Sequence, residues 1–171
     1  MICFTFDSTG LKEYRNDQSI IQEDIAVLEV TAFVLPVSFT LDGVDLFEIP
    51  IIGSPENEVE ENNLSFRAKP SWLPMPVLNL ALNGMKAVQE VCRGETVDFV
   101  LPDVGSRLLF EPIGNEVKIY SGINRKSALT TSGELLQTFE TFLNEVRRAL
   151  RKGIPQLLKH PDLGIWLSKE E

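Results

Sequence analysis

His160 is the only histidine in this sequence, and so the only side chain whose ordinary charge change falls near neutral pH. Any histidine-based acid–base or nucleophilic mechanism must run through it. It stands in Leu158-Lys-His-Pro161, just past a long helical segment, and no Ser or Cys nucleophile is marked as its partner by spacing. The expected role is a residue that helps a turn at a helix end.

Glu56, Glu58, Glu60 and Glu61 form the next candidate, within Gly53 to Asn63. Carboxylate oxygens suit a hard divalent cation or a basic protein surface. The segment lacks the turn glycine and distal bidentate Glu of an EF-hand loop, which favours contact with a basic protein. Trp72 and Met75 follow in the proline-rich Pro70-Ser-Trp-Leu-Pro-Met-Pro76. Trp and Met are favoured in interface cores, so this stretch reads as a partner-binding patch, or else as a loop that plugs the edge of the core. Trp166 is a further aromatic anchor. The expected partner-binding set is therefore Glu56, Glu58, Glu60, Glu61, Trp72 and Met75, with no catalytic residue, metal ligand or cofactor assigned.

The remaining motifs are negative. There is no Gly-x-Gly-x-x-Gly, P-loop, His-Glu-x-x-His, Gly-x-Ser-x-Gly or Cys-x-x-Cys. Cys3 and Cys92 lie far apart among apolar neighbours and are expected as reduced, buried thiols. With one histidine they fall short of the four clustered ligands of a structural zinc site. Twenty-five Asp and Glu allow many carboxylate pairs, but no spacing singles one out for hydrolysis.

Charge is distributed unevenly. Through Pro70 there are thirteen Asp/Glu against four Lys/Arg, which carries the whole net charge of −9; from Ser71 onward there are twelve of each sign. An acidic half repels nucleic acid and anionic membrane and attracts basic partners. Arg125, Lys126, Arg147, Arg148, Arg151 and Lys152 read as helix-dipole complement and solvated surface rather than a nucleic-acid patch. The N-terminus shows no basic region followed by an apolar run, and no window approaches the roughly 18 apolar residues of a membrane span. The expectation is a soluble cytoplasmic protein: a non-catalytic interaction domain whose acidic half meets a basic partner, as an inhibitor or immunity-type protein would. The alternatives are a small carboxylate enzyme dependent on a divalent cation, and a self-associating subunit that uses the proline-rich connector or an uncovered strand edge.

The elements that must position these residues follow from periodicity. Length and a 43% hydrophobic content suit a single α+β domain over 1–171, with an acidic loop at 53–63 expected to be mobile. Ile2, Phe4 and Phe6 alternate as a first strand. Ile25 to Leu35 is β-branched and aromatic, which predicts a central strand that Pro36 bends or breaks. Asp42-Gly43 predicts a type I′ hairpin pairing Leu41 with Val44 and Phe39 with Leu46. Leu64 to Ala68 alternates as a short strand. Apolar spacing from Val77 to Val91, with Pro76 before and Gly94 after, predicts a helix over about 76–93.

Three strands are expected next, with Gly114-Asn115 turning Phe110 onto Ile119 and Glu111 onto Lys118. Thr131 and Glu134 form a capping box that opens a helix over about 131–152, with Leu135, Phe139, Phe142, Val146, Ala149 and Leu150 as its apolar stripe. Leu157, Leu158, Ile165, Trp166 and Leu167 predict a docked tail. The sum is an α+β fold: a mostly antiparallel sheet built from hairpins, with two main helices packed against it.

Overall fold

The computed structural model describes residues 1–48, 72–102 and 105–169. The first strand forms as its alternation predicts: β1 (Ile2–Phe6) turns Phe4 into the core, where its ring stacks on Phe142 at 3.9 Å between centroids and lies 4.7 Å from Phe39. The same alternation puts Cys3 on the outer face. Cys3 and Cys92 are both free and exposed, which corrects the expectation of buried thiols. Apolar neighbours in sequence decide little for Cys3, because successive strand side chains point to opposite faces, or for Cys92, which stands at the C-terminal end of a helix.

Ile25 to Leu35 does not form one strand. Ile25–Thr31 is a helix, α1, followed by β2 (Val34–Leu41). The Asp24 carboxylate accepts the Ala26 amide at 2.7 Å and caps α1, while Leu28 and Ala32 turn inward at helical spacing. The helix penalties of Ile25, Val27, Val30 and Thr31, a few tenths of a kcal/mol each, sum to about what a cap of ~1 kcal/mol offsets, and burial of Leu28 and Ala32 then favours the helix. Phe33 then reverses the chain at φ +56. That backbone costs a non-glycine residue ~1–2 kcal/mol, and burial of the whole ring returns ~2–3 kcal/mol.

Pro36 neither bends nor ends β2. Its carbonyl accepts the Asp7 amide, so its missing N–H faces the position just beyond β1, where the ladder has already ended. The Asp42-Gly43 turn has positive φ at both residues, +48 and +79, and joins β2 to β3 (Val44–Asp45) with Leu41 opposite Val44 as expected. The proline-rich connector ends in β4 (Leu73–Pro76), which pairs with β2 at the sheet edge, where prolines are tolerated. The first sheet thus runs β1-β2-β3, with β4 also on β2.

After α2 (Val77–Val91), the second sheet is an antiparallel meander of β5 (Val97–Leu101), β6 (Ser106–Ile113), β7 (Glu116–Ser121) and β8 (Ser127–Thr131). Phe110 faces Ile119 and Glu111 faces Lys118, the predicted register. The fourth strand corrects the expected three. In β8 only Thr130 is buried, so the strand carries no apolar alternation to betray it.

Helix α3 (Ser132–Gly153) opens on the predicted capping box and buries Leu135, Phe139, Phe142, Val146 and Leu150. It crosses α2 where Gly84 has no side chain: a Cβ there would sit 2.8 Å from the Phe139 ring. The tail docks only in part. Ile154, Leu157 and, in α4 (Leu163–Ser168), Leu163 and Leu167 are buried, whereas Leu158 is 43% and Ile165 71% exposed. Gln156 donates to the carbonyls of Tyr14 and Arg15, which ties the tail to the polar segment after β1. Asn124 donates to the Asp45 carbonyl at 2.8 Å and Lys126 pairs with Glu48, joining the two sheets through the β7–β8 turn. One hydrophobic core draws side chains from both sheets and from α1, α2, α3 and α4.

Candidate functional site

His160 is 2% exposed and fully engaged. Its Nε2 lies 2.8 Å from the Glu23 carbonyl oxygen, and its Nδ1 accepts the Asp162 and Leu163 amides at 3.2 and 3.1 Å. A carbonyl can only accept and an amide can only donate, so the ring is held as the neutral Nε2–H tautomer. It joins the start of α4 to the segment before α1. Both nitrogens are used, leaving none for a substrate.

Of the six residues expected to bind a partner, Trp72 and Met75 are among the described residues. Glu56, Glu58, Glu60 and Glu61 lie outside the described residues. Trp72 is half-buried beside β4. Met75 is 0% exposed and sits in β4 opposite Leu35, which corrects the reading of an exposed patch there. The alternation of β4 points Leu73 and Met75 into the core together, so this stretch closes the core's edge. Trp166 is half-buried beneath the Arg147 guanidinium, 5.1 Å from its ring centroid. Among the described residues, no three His, Cys, Asp or Glu converge as a metal group would require.

The structure instead brings together a groove that spacing alone did not reveal. It is about 390 Å³ in volume and runs between β1 and one flank of α3, lined by Met1 to Thr5 and by Glu134, Gln137, Thr138, Thr141 and Glu145. The strand and helix run in the same direction. Met1 lies near Glu134, Phe4 stacks on Phe142, and Leu11 beyond the strand touches Gly153. The helix covers the strand's inner face with its apolar stripe, and its polar flank overhangs the strand's free side.

That flank is acidic. Among the described residues the lining holds Glu134 and Glu145 and no Lys or Arg, and the Met1 ammonium in it is paired with Asp42. Hydrogen bonds from the Thr131 and Thr130 hydroxyls and the Thr131 amide hold the Glu134 carboxyl below the usual range, so it stays ionised. The Asp42 carboxylate holds the Met1 amine above its ordinary value. The sequence signal was the polar stripe Glu134, Gln137, Thr138, Thr141, Glu145, set at helical spacing beside the apolar one.

Another depression, lined among the described residues by Leu158, His160, Pro161, Gly164, Ile165 and Ser168, is shallow, and the His160 ring in it is already hydrogen-bonded at both nitrogens. No helix among the described residues is long and apolar enough to cross a membrane. No protein-family model matches the chain, and no curated protein or solved structure matches it either.

Proposed function

We propose that this chain is a non-catalytic protein–protein interaction domain that takes a basic partner, in the manner of an inhibitor or immunity-type protein, in the cytoplasm. The observation that carries the reading is the β1–α3 groove, whose described lining presents two carboxylates and no Lys or Arg. The excess of acid through Pro70 adds a long-range field of the same sign. Such a field steers a cationic partner and raises its rate of encounter more than its final affinity. The same sign disfavours nucleic acid and anionic lipid. The engagement of both His160 nitrogens supports a binding role over an acid–base one. No observation favours the carboxylate enzyme.

The test is an affinity pull-down from a lysate of the source organism, washed in steps of rising salt, with wild type beside a Glu134→Gln/Glu145→Gln double variant. A basic protein retained by wild type, released at intermediate salt and lost from the variant supports the reading. Retention of acidic or neutral proteins alone, or none, contradicts it.

A further inference from the structure

The outer edges of the first sheet are managed unequally. β4 carries Pro74 and Pro76, and β3 is two residues long. Prolines and brevity both deter a further strand from pairing. β1 has neither protection: its sequence, Ile-Cys-Phe-Thr-Phe, contains no proline and no charge.

Hydrogen bonding fixes which backbone groups are open. The Met1 carbonyl accepts the Asp42 amide and the Pro36 carbonyl accepts the Asp7 amide, so the odd-numbered residues of β1 face β2. In an antiparallel ladder the alternate residues point the other way. The N–H and C=O groups of Ile2, Phe4 and Phe6 therefore line the free side, and among the described residues no strand but β2 pairs with β1.

We infer that this edge accepts an extended segment of a basic partner protein as an added strand, with Lys or Arg side chains of that segment meeting Glu134 and Glu145 across the groove. The inference rests on the interaction reading above and names the surface and the mode. Main-chain pairing would supply affinity and the acidic flank specificity, the division seen in strand addition generally. The dimensions agree. Glu134 and Glu145 are eleven residues apart on α3, about 16 Å along the axis, and a five-residue strand such as β1 is about 17 Å long. A second copy of this chain is the poorer occupant, because edge-to-edge pairing would crowd four carboxylates, Glu134 and Glu145 of each copy, along one seam.

The test uses the full chain and two synthetic probes: a short peptide alternating lysine with valine, and the same peptide N-methylated at every second residue. N-methylation keeps the charge and removes the ladder donors. Affinity and amide hydrogen exchange are measured for both. The unmodified peptide is expected to protect the amides of Ile2, Phe4 and Phe6, and the N-methylated peptide to bind roughly 10- to 30-fold more weakly for the hydrogen bonds it cannot form. Glu145→Gln is expected to weaken the unmodified peptide as well.

Equal binding of both peptides without protection at β1 overturns the strand-addition proposal and leaves the acidic-surface reading standing. Binding of neither overturns both. Protection of the same amides in the peptide-free protein also overturns the proposal: if it grows with protein concentration, a second copy occupies the edge, and if it does not, the chain itself does.

Discussion

His160 reaches back 137 residues to the Glu23 carbonyl and hydrogen-bonds it at 2.8 Å. One ring thereby bridges the turn into α4 and the turn into α1. Its catalytic potential is consumed by this structural task. His160→Ala is expected to destabilise the fold by about 3 kcal/mol, from an orphaned carbonyl, lost amide partners and a small cavity. His160→Asn keeps an acceptor near the Nδ1 position but cannot span to Glu23, and is expected to cost about half as much. Urea denaturation measures both, and groove binding by the folded variants stays at the wild-type level.

Gly84 and Phe139 set how closely α2 and α3 approach. Gly84→Ala improves intrinsic helix propensity by ~1 kcal/mol but places a methyl 2.8 Å from the Phe139 ring. Overpacking of that kind costs ~1–3 kcal/mol, so a net loss near ~1 kcal/mol is expected. Adding Phe139→Leu should make the Gly84→Ala change less costly than it is alone, which a double-mutant cycle in chemical denaturation reads directly.

Glu134 ties stability to acid pH. Its carboxyl is held below the usual range by the Thr131 and Thr130 hydroxyls and the Thr131 amide. A carboxyl with a depressed folded pKa stabilises the protein fully above its unfolded value, and that contribution disappears as pH falls through the folded one. Comparing wild type with Glu134→Gln should therefore show a gap at neutral pH that closes below the ordinary carboxylate range. Gln retains the capping-box geometry, which isolates the charge. Unfolding midpoints across an acid series check it.

The two exposed thiols should differ in reactivity. Partial burial pushes the Cys92 thiol above its ordinary pKa, and its Sγ lies 3.6 Å from the Ser132 carbonyl oxygen. Less thiolate means slower attack on a disulfide reagent. Cys92→Ser is expected to remove the slower phase of modification at neutral pH, and Cys3→Ser the faster one.

Much of the fold was legible because local chemistry and packing agree. Asp42-Gly43 demands positive φ at both residues, and each hairpin's register places apolar opposite apolar. Thr131 and Glu134 satisfy each other's amides within a single turn, without a tertiary partner. Sequence and structure diverge where one local signal stands alone. The β-branched residues after Ile25 favour a strand, yet a single cap at Asp24 and the inward spacing of Leu28 and Ala32 make a helix. Met75 has the composition of an anchor, but the alternation of β4 decides which way it points. The groove is not written in local sequence, because its halves, Met1 to Thr5 and Glu134 to Glu145, meet only where Phe4 stacks on Phe142. The free edge of β1 became visible only once its pairing with β2 was known.

The most direct test of the central claim is the affinity of the lysine–valine peptide for wild type and for the Glu134→Gln/Glu145→Gln variant, titrated across ionic strength. An acidic groove predicts binding that weakens steadily with salt, and a loss of roughly 3- to 10-fold at low salt when both charges are removed. A glutamate–valine peptide should bind the wild type far more weakly than the lysine–valine peptide does. Equal affinity for wild type and variant, or for the basic and acidic peptides, would contradict the account.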